Sequence, residues 1–150
     1  MTASFALVLL TAAGPLAADA PQKALPLPGE VFTVAGRVAF LIPAAHPAAA
    51  KPWVWYAPTL PGLPGPEERW MFERFRAAGV AVAGVDAGES YGSPAGNRVF
   101  DALHRALTAR GYSARPVLLG RSRGGLMALS WAAANPTGSA GSPASTRCAI

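Results

Sequence analysis

Three times between Trp53 and Asn135, a short apolar run gives way to a stretch patterned as an amphipathic helix. WVWYAP, VAVAGVDA and ARPVLLG are the runs, too short for helices and too unbroken for strands with one wet face, so each reads as a buried strand. The first is followed by TLPGLPGP, which cannot be regular, and then by a helix starting at Pro66. Glu67 and Glu68 stand in its first turn, Arg74 and Arg76 near its end and Gly79 just past it, an arrangement that suits the helix dipole. Met71, Phe75 and Ala78 form its apolar stripe. The second run leads through GESYGSPAG to a helix from about Asn97 to Arg110 with Phe100, Leu103 and Leu107 on one face and Gly111 as its cap. The third passes at once into a helix from Gly124 to about Asn135, stopped by Pro136. Strand and helix in alternation predict an α/β class with a parallel sheet, whose function gathers in loops at the carboxyl ends of the strands.

Upstream, VFTVAGRVAFLIP alternates about Ala35-Gly36 and predicts a β-hairpin. PQKALPLPGE, residues 21–30, is proline-rich and reads as a linker. The first twenty residues, MTASFALVLLTAAGPLAADA, read as a signal peptide: an apolar run from Phe5 to Leu10, too short to span a bilayer, then the small-x-small pattern Ala18-Asp19-Ala20. Removal would leave a secreted or periplasmic chain with no stable membrane span; a retained N-terminal anchor is the alternative. At 150 residues the chain is one domain in size. Its net charge of +5 comes from scattered arginines that form no basic run, which argues against a nucleic-acid surface. The one cysteine, Cys148, provides neither a disulfide framework nor a metal-ligand cluster.

The pattern G-x-S-x-G occurs twice, as Gly120-Arg121-Ser122-Arg123-Gly124 and as Gly88-Glu89-Ser90-Tyr91-Gly92. Such a pattern presents a nucleophilic serine only where a strand turns abruptly into a helix, with glycines where side chains would strike neighbouring backbone. Ser122 has that context. Ser90 follows a strand, but Gly92, Pro94 and Gly96 keep the next residues in a loop, so it reads as a loop residue near a pocket. GRSRGG lacks both the Walker lysine and the dinucleotide glycine spacing, which sets phosphate binding aside.

From Val31 to Pro136 the chain resembles the α/β-hydrolase fold family, in that family's order of hairpin, third strand, helix, fourth strand, helix, fifth strand, elbow and helix. The double glycine Gly124-Gly125 looks like the esterase and prolyl-oligopeptidase-like branches. The resemblance implies the N-terminal half of that fold, with an acyl-enzyme on Ser122, a small-molecule ester or peptide-like substrate and no cofactor or metal. It implies an elbow built on Gly120, Gly124 and Gly125. Oxyanion donors would be the Arg123 N–H and one from Thr59 or Leu60, in a loop that departs from the lipase HGGG version. Glu89, Ser90 and Tyr91 would line the pocket.

The family's acid and histidine follow the serine, yet from Arg123 to Ile150 there is no Asp, Glu or His. His46 reads as a solvated loop residue and His104 as a partly buried helix residue. Asp86 is placed to orient a histidine or to pair with Arg121 or Arg123, the pairing being the role it suits better. The two arginines either favour an anionic substrate or form surface ion pairs. Activity is therefore not expected of the chain as it stands.

The tail, TGSAGSPASTRCAI (137–150), reads as disordered, where the family expects a sixth buried strand. Read one base earlier, its codons permit D-R-V, two positions that can be Gly, then I-A-G-I-Y-P-V-C, a strand of the expected kind. A single-base frameshift near codon 136 or 137 is the expectation; a natural terminus is the alternative. The fifth strand is then expected to lack an outer neighbour. The reading of a different class is a small, non-catalytic αβ module that binds a ligand through backbone amides of the glycine-rich turn.

Overall fold

The computed structural model describes residues 21–136 and 148–149. The expected signal, residues 1–20, and most of the tail lie outside the described residues. The hairpin is β1 (Glu30–Val34) and β2 (Arg37–Ile42), joined by Ala35 and Gly36 at φ 49° and 70°. Both central residues lie in the left-handed region, the conformation that matches a two-residue turn to strand twist. After β3 (Trp53–Ala57), a single 3₁₀ turn (Pro66–Glu68) leads into α1 (Arg69–Ala77). Then come β4 (Ala81–Val85), α2 (Pro94–Ala109), β5 (Val117–Gly120) and α3 (Arg123–Ala134).

The strands lie in the order β1-β2-β4-β3-β5-β6, where β6 is the two-residue strand Cys148–Ala149. β1, β2 and β4 pair antiparallel; β4 with β3, β3 with β5 and β5 with β6 pair parallel. Because successive side chains alternate across a strand, β3 serves two cores at once. Trp53 and Trp55 pack with Phe100, Leu103 and Leu107 of α2 and with Met127 and Trp131 of α3. Val54 and Tyr56 point the other way, to a layer with Phe40, Ile42 and Val82 that Phe72 of α1 closes. The three parallel strands thus end together, and the loops after β3, β4 and β5 share one edge.

Four expectations need correction. Residues 21–30 are not a free linker: Leu27 is buried and Leu25 packs on the α1-side core, because two leucines among the prolines carry the segment onto the sheet. The second helix begins at Pro94 rather than Asn97, since proline is suited to a first helical position and the Ser93 hydroxyl caps it by accepting from Gly96 N–H at 3.3 Å. In α1 the fully buried residue is Phe72, while Ala78 is exposed. Within the tail read as disordered, Cys148–Ala149 form β6 beside Leu118 and Leu119, so β5 does have an outer neighbour there. An unpaired edge offers backbone donors and acceptors to any chain that reaches it, whatever its side-chain pattern.

Candidate active site

Only Arg121 and Ser122 separate the end of β5 at Gly120 from the start of α3 at Arg123, and Ser122 has φ 53° and ψ −129°. A side chain rarely adopts such a φ, and a residue held there costs on the order of 1–3 kcal/mol, so the surroundings must impose it. They do so through backbone bonds on either side. Arg121 N–H donates to Ala57 O at 2.7 Å, Gly124 N–H to Arg121 O at 2.9 Å and Gly125 N–H to Ser122 O at 3.0 Å. The serine is exposed at the apex of this turn.

The glycines have distinct reasons. A Cβ on Gly120 would lie 2.4 Å from the Gly125 Cα, and one on Gly124 would lie 2.0 Å from Ala57 O. Both positions are closed to any side chain because backbone occupies the space. Gly125 is different: a Cβ there meets nothing within 4 Å. Its Cα is the atom that excludes a side chain from Gly120.

The close approach of Gly124 to Ala57 and Pro58 brings the elbow against the loop after β3. Thr59 is buried, and its hydroxyl donates to Tyr56 O at 3.3 Å, so its side chain is committed to the core beneath. Leu60 O accepts from Leu63 N–H at 2.9 Å and from Lys23 Nζ at 2.6 Å. Burial lowers the Lys23 ammonium below its ordinary pKa, against the opposing pull of Asp86. What this loop has to offer an anion is main-chain N–H. At the elbow, Gly124 and Gly125 N–H are already engaged, whereas Arg123 N–H, at the first helical position, belongs to those no intrahelical carbonyl reaches.

Charge around the serine is balanced. Arg123 pairs with Glu89 of the loop after β4 at 2.7 Å. Arg121 pairs with Glu68, a carboxylate from the 3₁₀ turn that sequence reasoning placed only as a helix-dipole acid. Glu68 also accepts the Tyr56 hydroxyl at 2.9 Å and Gly65 N–H at 2.7 Å. Burial alone would raise the Glu68 carboxyl, but Gly65 N–H, the Tyr56 hydroxyl and the Arg121 guanidinium outweigh it and hold the pKa below the ordinary value. Burial, then the hydrogen bond to Glu68, push the Tyr56 phenol up to about 12. Asp86 therefore pairs with neither arginine; its Oδ1 accepts from Gly88 N–H at 2.9 Å and shapes the turn after β4. The sequence cannot rank carboxylates for Arg121, because 53 residues separate the pair that forms.

Of the expected pocket residues, Glu89 reaches the elbow through Arg123. Ser90 packs its side chain on Gly96 at the start of α2, and its hydroxyl is buried without a partner among the described residues. Tyr91 is exposed at φ 46°. Glu89 and Ser90 line a cleft of about 270 Å³ with Arg37 and Ser93; Ser122 and Tyr91 are not among the residues lining it.

Neither histidine is near the serine's end of the sheet. His104 Nε2 lies 2.9 Å from Ala114 O, before β5 begins, and its ring stacks on Trp55. β5 alone, at ~3.3 Å per residue, puts about 10 Å between that point and the elbow. His46 is exposed in the loop before β3, beside Gly79 at the amino end of β4. An attacking serine needs a base within hydrogen-bond reach, and these two sit at the opposite edge.

Solved structures share this fold over part of their length. An esterase/lipase from an uncultured bacterium matches with TM-score 0.55 and 23% identity over 79% of this chain and 42% of its own. An esterase of the bacterial hormone-sensitive lipase family matches with TM-score 0.54 and 25% identity over 78% of this chain and 41% of its own. An α/β serine hydrolase without a lid from Xanthomonas campestris matches with TM-score 0.55 and 16% identity over 75% of this chain and 59% of its own. No family model and no curated protein matches the sequence. The chain has a truncated α/β-hydrolase fold, consistent with its N-terminal half, and spans less than two thirds of these structures' lengths. Among the described residues no helix is long and apolar enough to cross a membrane.

Proposed function

We propose that this chain is the nucleophile-bearing half of a serine hydrolase that cleaves small, uncharged esters through an acyl-enzyme on Ser122. The observation that carries the reading is Ser122 itself, a non-glycine residue at φ 53° between strand and helix, flanked by Gly120 and Gly124, where backbone contact leaves no room for a side chain. In the proposed reaction Ser122 Oγ bonds to the ester carbonyl carbon while a base takes its proton. The negative oxygen is met by Arg123 N–H and a main-chain N–H of Thr59 or Leu60, and the alcohol leaves with the proton. Water then frees the acid and restores the serine. Pairing of Arg121 with Glu68 and Arg123 with Glu89 supports an uncharged substrate, since neither guanidinium is left to attract an anion.

With both histidines at the far edge, the base and its acid belong to polypeptide other than residues 21–136, and the chain by itself is nearly inactive. Frameshift of the family's second half near codon 136 or 137 accounts for that, and export accounts for residues 1–20. The gene's nucleotides from the Asn135 codon onward, read one base earlier, test the placement. An open frame encoding further strands, an Asp or Glu and then a His is expected. Its joined product should hydrolyse p-nitrophenyl esters and lose that activity on Ser122→Ala. A frame that closes at once, or activity that survives Ser122→Ala, overturns the reading.

A further inference from the structure

Three chain segments meet at the Glu68 carboxylate: β3 through the Tyr56 hydroxyl, the 3₁₀ turn through Gly65 N–H, and the elbow through the Arg121 guanidinium. Glu68 is only 5% exposed, whereas the Arg121 side chain is half exposed. A half-exposed arginine has no need of a buried partner for its own solvation. The pairing instead does something to the residue that carries the guanidinium.

Arg121 is gripped at three points: its N–H by Ala57 O, its carbonyl by Gly124 N–H, and its side chain by Glu68. The first two lie along the backbone and, with Gly125 N–H on Ser122 O, orient the peptide planes on either side of Ser122. The third is lateral and anchors the residue to the floor beneath β3 and the start of α1. Strained backbone persists only where its neighbours over-determine it, and Arg121 is the neighbour immediately before Ser122. We infer that Glu68 is a positioning residue for Ser122: through Arg121 it holds the elbow in the left-handed conformation that presents the serine hydroxyl. Its importance to reaction rests on Ser122 being the nucleophile; its effect on the elbow does not.

Three variants separate this role from a general contribution to stability. Arg121→Met removes the lateral grip from a half-exposed position. Glu68→Gln keeps one acceptor oxygen, which can serve Gly65 N–H, but loses the second oxygen and the charge that holds Arg121. Tyr56→Phe removes a hydroxyl that contacts both Glu68 and Arg121 and leaves the Arg121–Glu68 ion pair itself in place. The readout is NMR of the isotope-labelled chain, in which a residue at positive φ gives a strong intraresidue HN–Hα cross-peak because the two hydrogens are close. Wild type and Tyr56→Phe should show that peak at Ser122, Arg121→Met and Glu68→Gln should lose it, and Arg121→Lys should restore it. Loss in Arg121→Met with the rest of the spectrum in place sustains the inference even if Glu68→Gln fails to fold. A folded Arg121→Met chain that keeps the wild-type Ser122 peak overturns it. Because no reactivity is read, failure of the hydrolase reading would appear separately, as a Ser122 that is correctly positioned yet never acylated.

Discussion

Gly124→Ala places a methyl carbon 2.0 Å from Ala57 O, 2.1 Å from Ala57 C and 2.2 Å from Pro58 N. All three are backbone atoms, so no rotamer change relieves the overlap. Carbon contacts are optimal near ~3.5–4.0 Å, so α3 must withdraw from β3 by roughly 1 Å or more. Overpacking of this kind costs about 1–3 kcal/mol, and the upper end applies where only backbone can yield. Withdrawal also stretches the 2.7 Å bond from Arg121 N–H to Ala57 O, for a further ~1 kcal/mol. Alanine's advantage over glycine inside a helix offsets up to about 1 kcal/mol. The net loss should be about 2–3 kcal/mol, or roughly 6–15 °C in Tm for a domain of this size. Urea unfolding followed by tryptophan fluorescence reads it directly, because Trp53, Trp55 and Trp131 are all buried. Gly125→Ala is the control: its methyl meets open space, so stability should hold or rise by up to ~1 kcal/mol. A Gly124→Ala chain within ~0.5 kcal/mol of wild type, a surface-like effect, or a Gly125→Ala chain that falls as far, would show that α3 is not held against β3 by this contact.

Other outcomes follow from the same geometry. Ser122→Gly should stabilise the chain by about 1 kcal/mol in the same unfolding assay, since glycine adopts positive φ without penalty. Glu68 has a folded pKa below its ordinary value of 4.5, so the unfolded chain binds the proton more readily. Its contribution is complete above about that ordinary value and is lost as pH falls through the folded one; Glu68→Gln should flatten this acid limb of stability against pH. Tyr56 runs the opposite way: with its folded pKa raised from 10.0 to about 12, stability should decline as pH rises from the first value through the second. Tyr56→Phe should lose that alkaline slope. Arg123→Gln breaks an ion pair whose two side chains are each 44% exposed, so unfolding free energy should change by less than about 1 kcal/mol.

The parallel strands and the elbow were legible because each is a local pattern: an unbroken apolar run, or glycines at fixed offsets about a serine. The strand order was not, since nothing in VAVAGVDA says that β4 slots between β2 and β3. Burial of Leu27 was hidden by the prolines around it, which speak only of irregular backbone. The charges were least legible. Asp86 follows a strand that ends beside the elbow, within the sequence reach of its arginines, but a two-residue Asx turn to Gly88 uses its carboxylate locally. Glu67 and Glu68 are identical neighbours in sequence; only the tertiary position of Tyr56 and Gly65 makes the second a buried hub and leaves the first exposed.

The central claim is that Ser122 is presented for attack yet lacks a base, and a supplied base tests it. The chain would be incubated with an activated organophosphate, with and without added imidazole, and the phosphorylated residue located by peptide mass spectrometry. Little adduct without imidazole, and imidazole-dependent adduct on Ser122 in preference to other serines, is the predicted result. Adduct spread evenly over exposed serines, or none at Ser122 even with imidazole, would contradict the claim that this elbow presents a nucleophile.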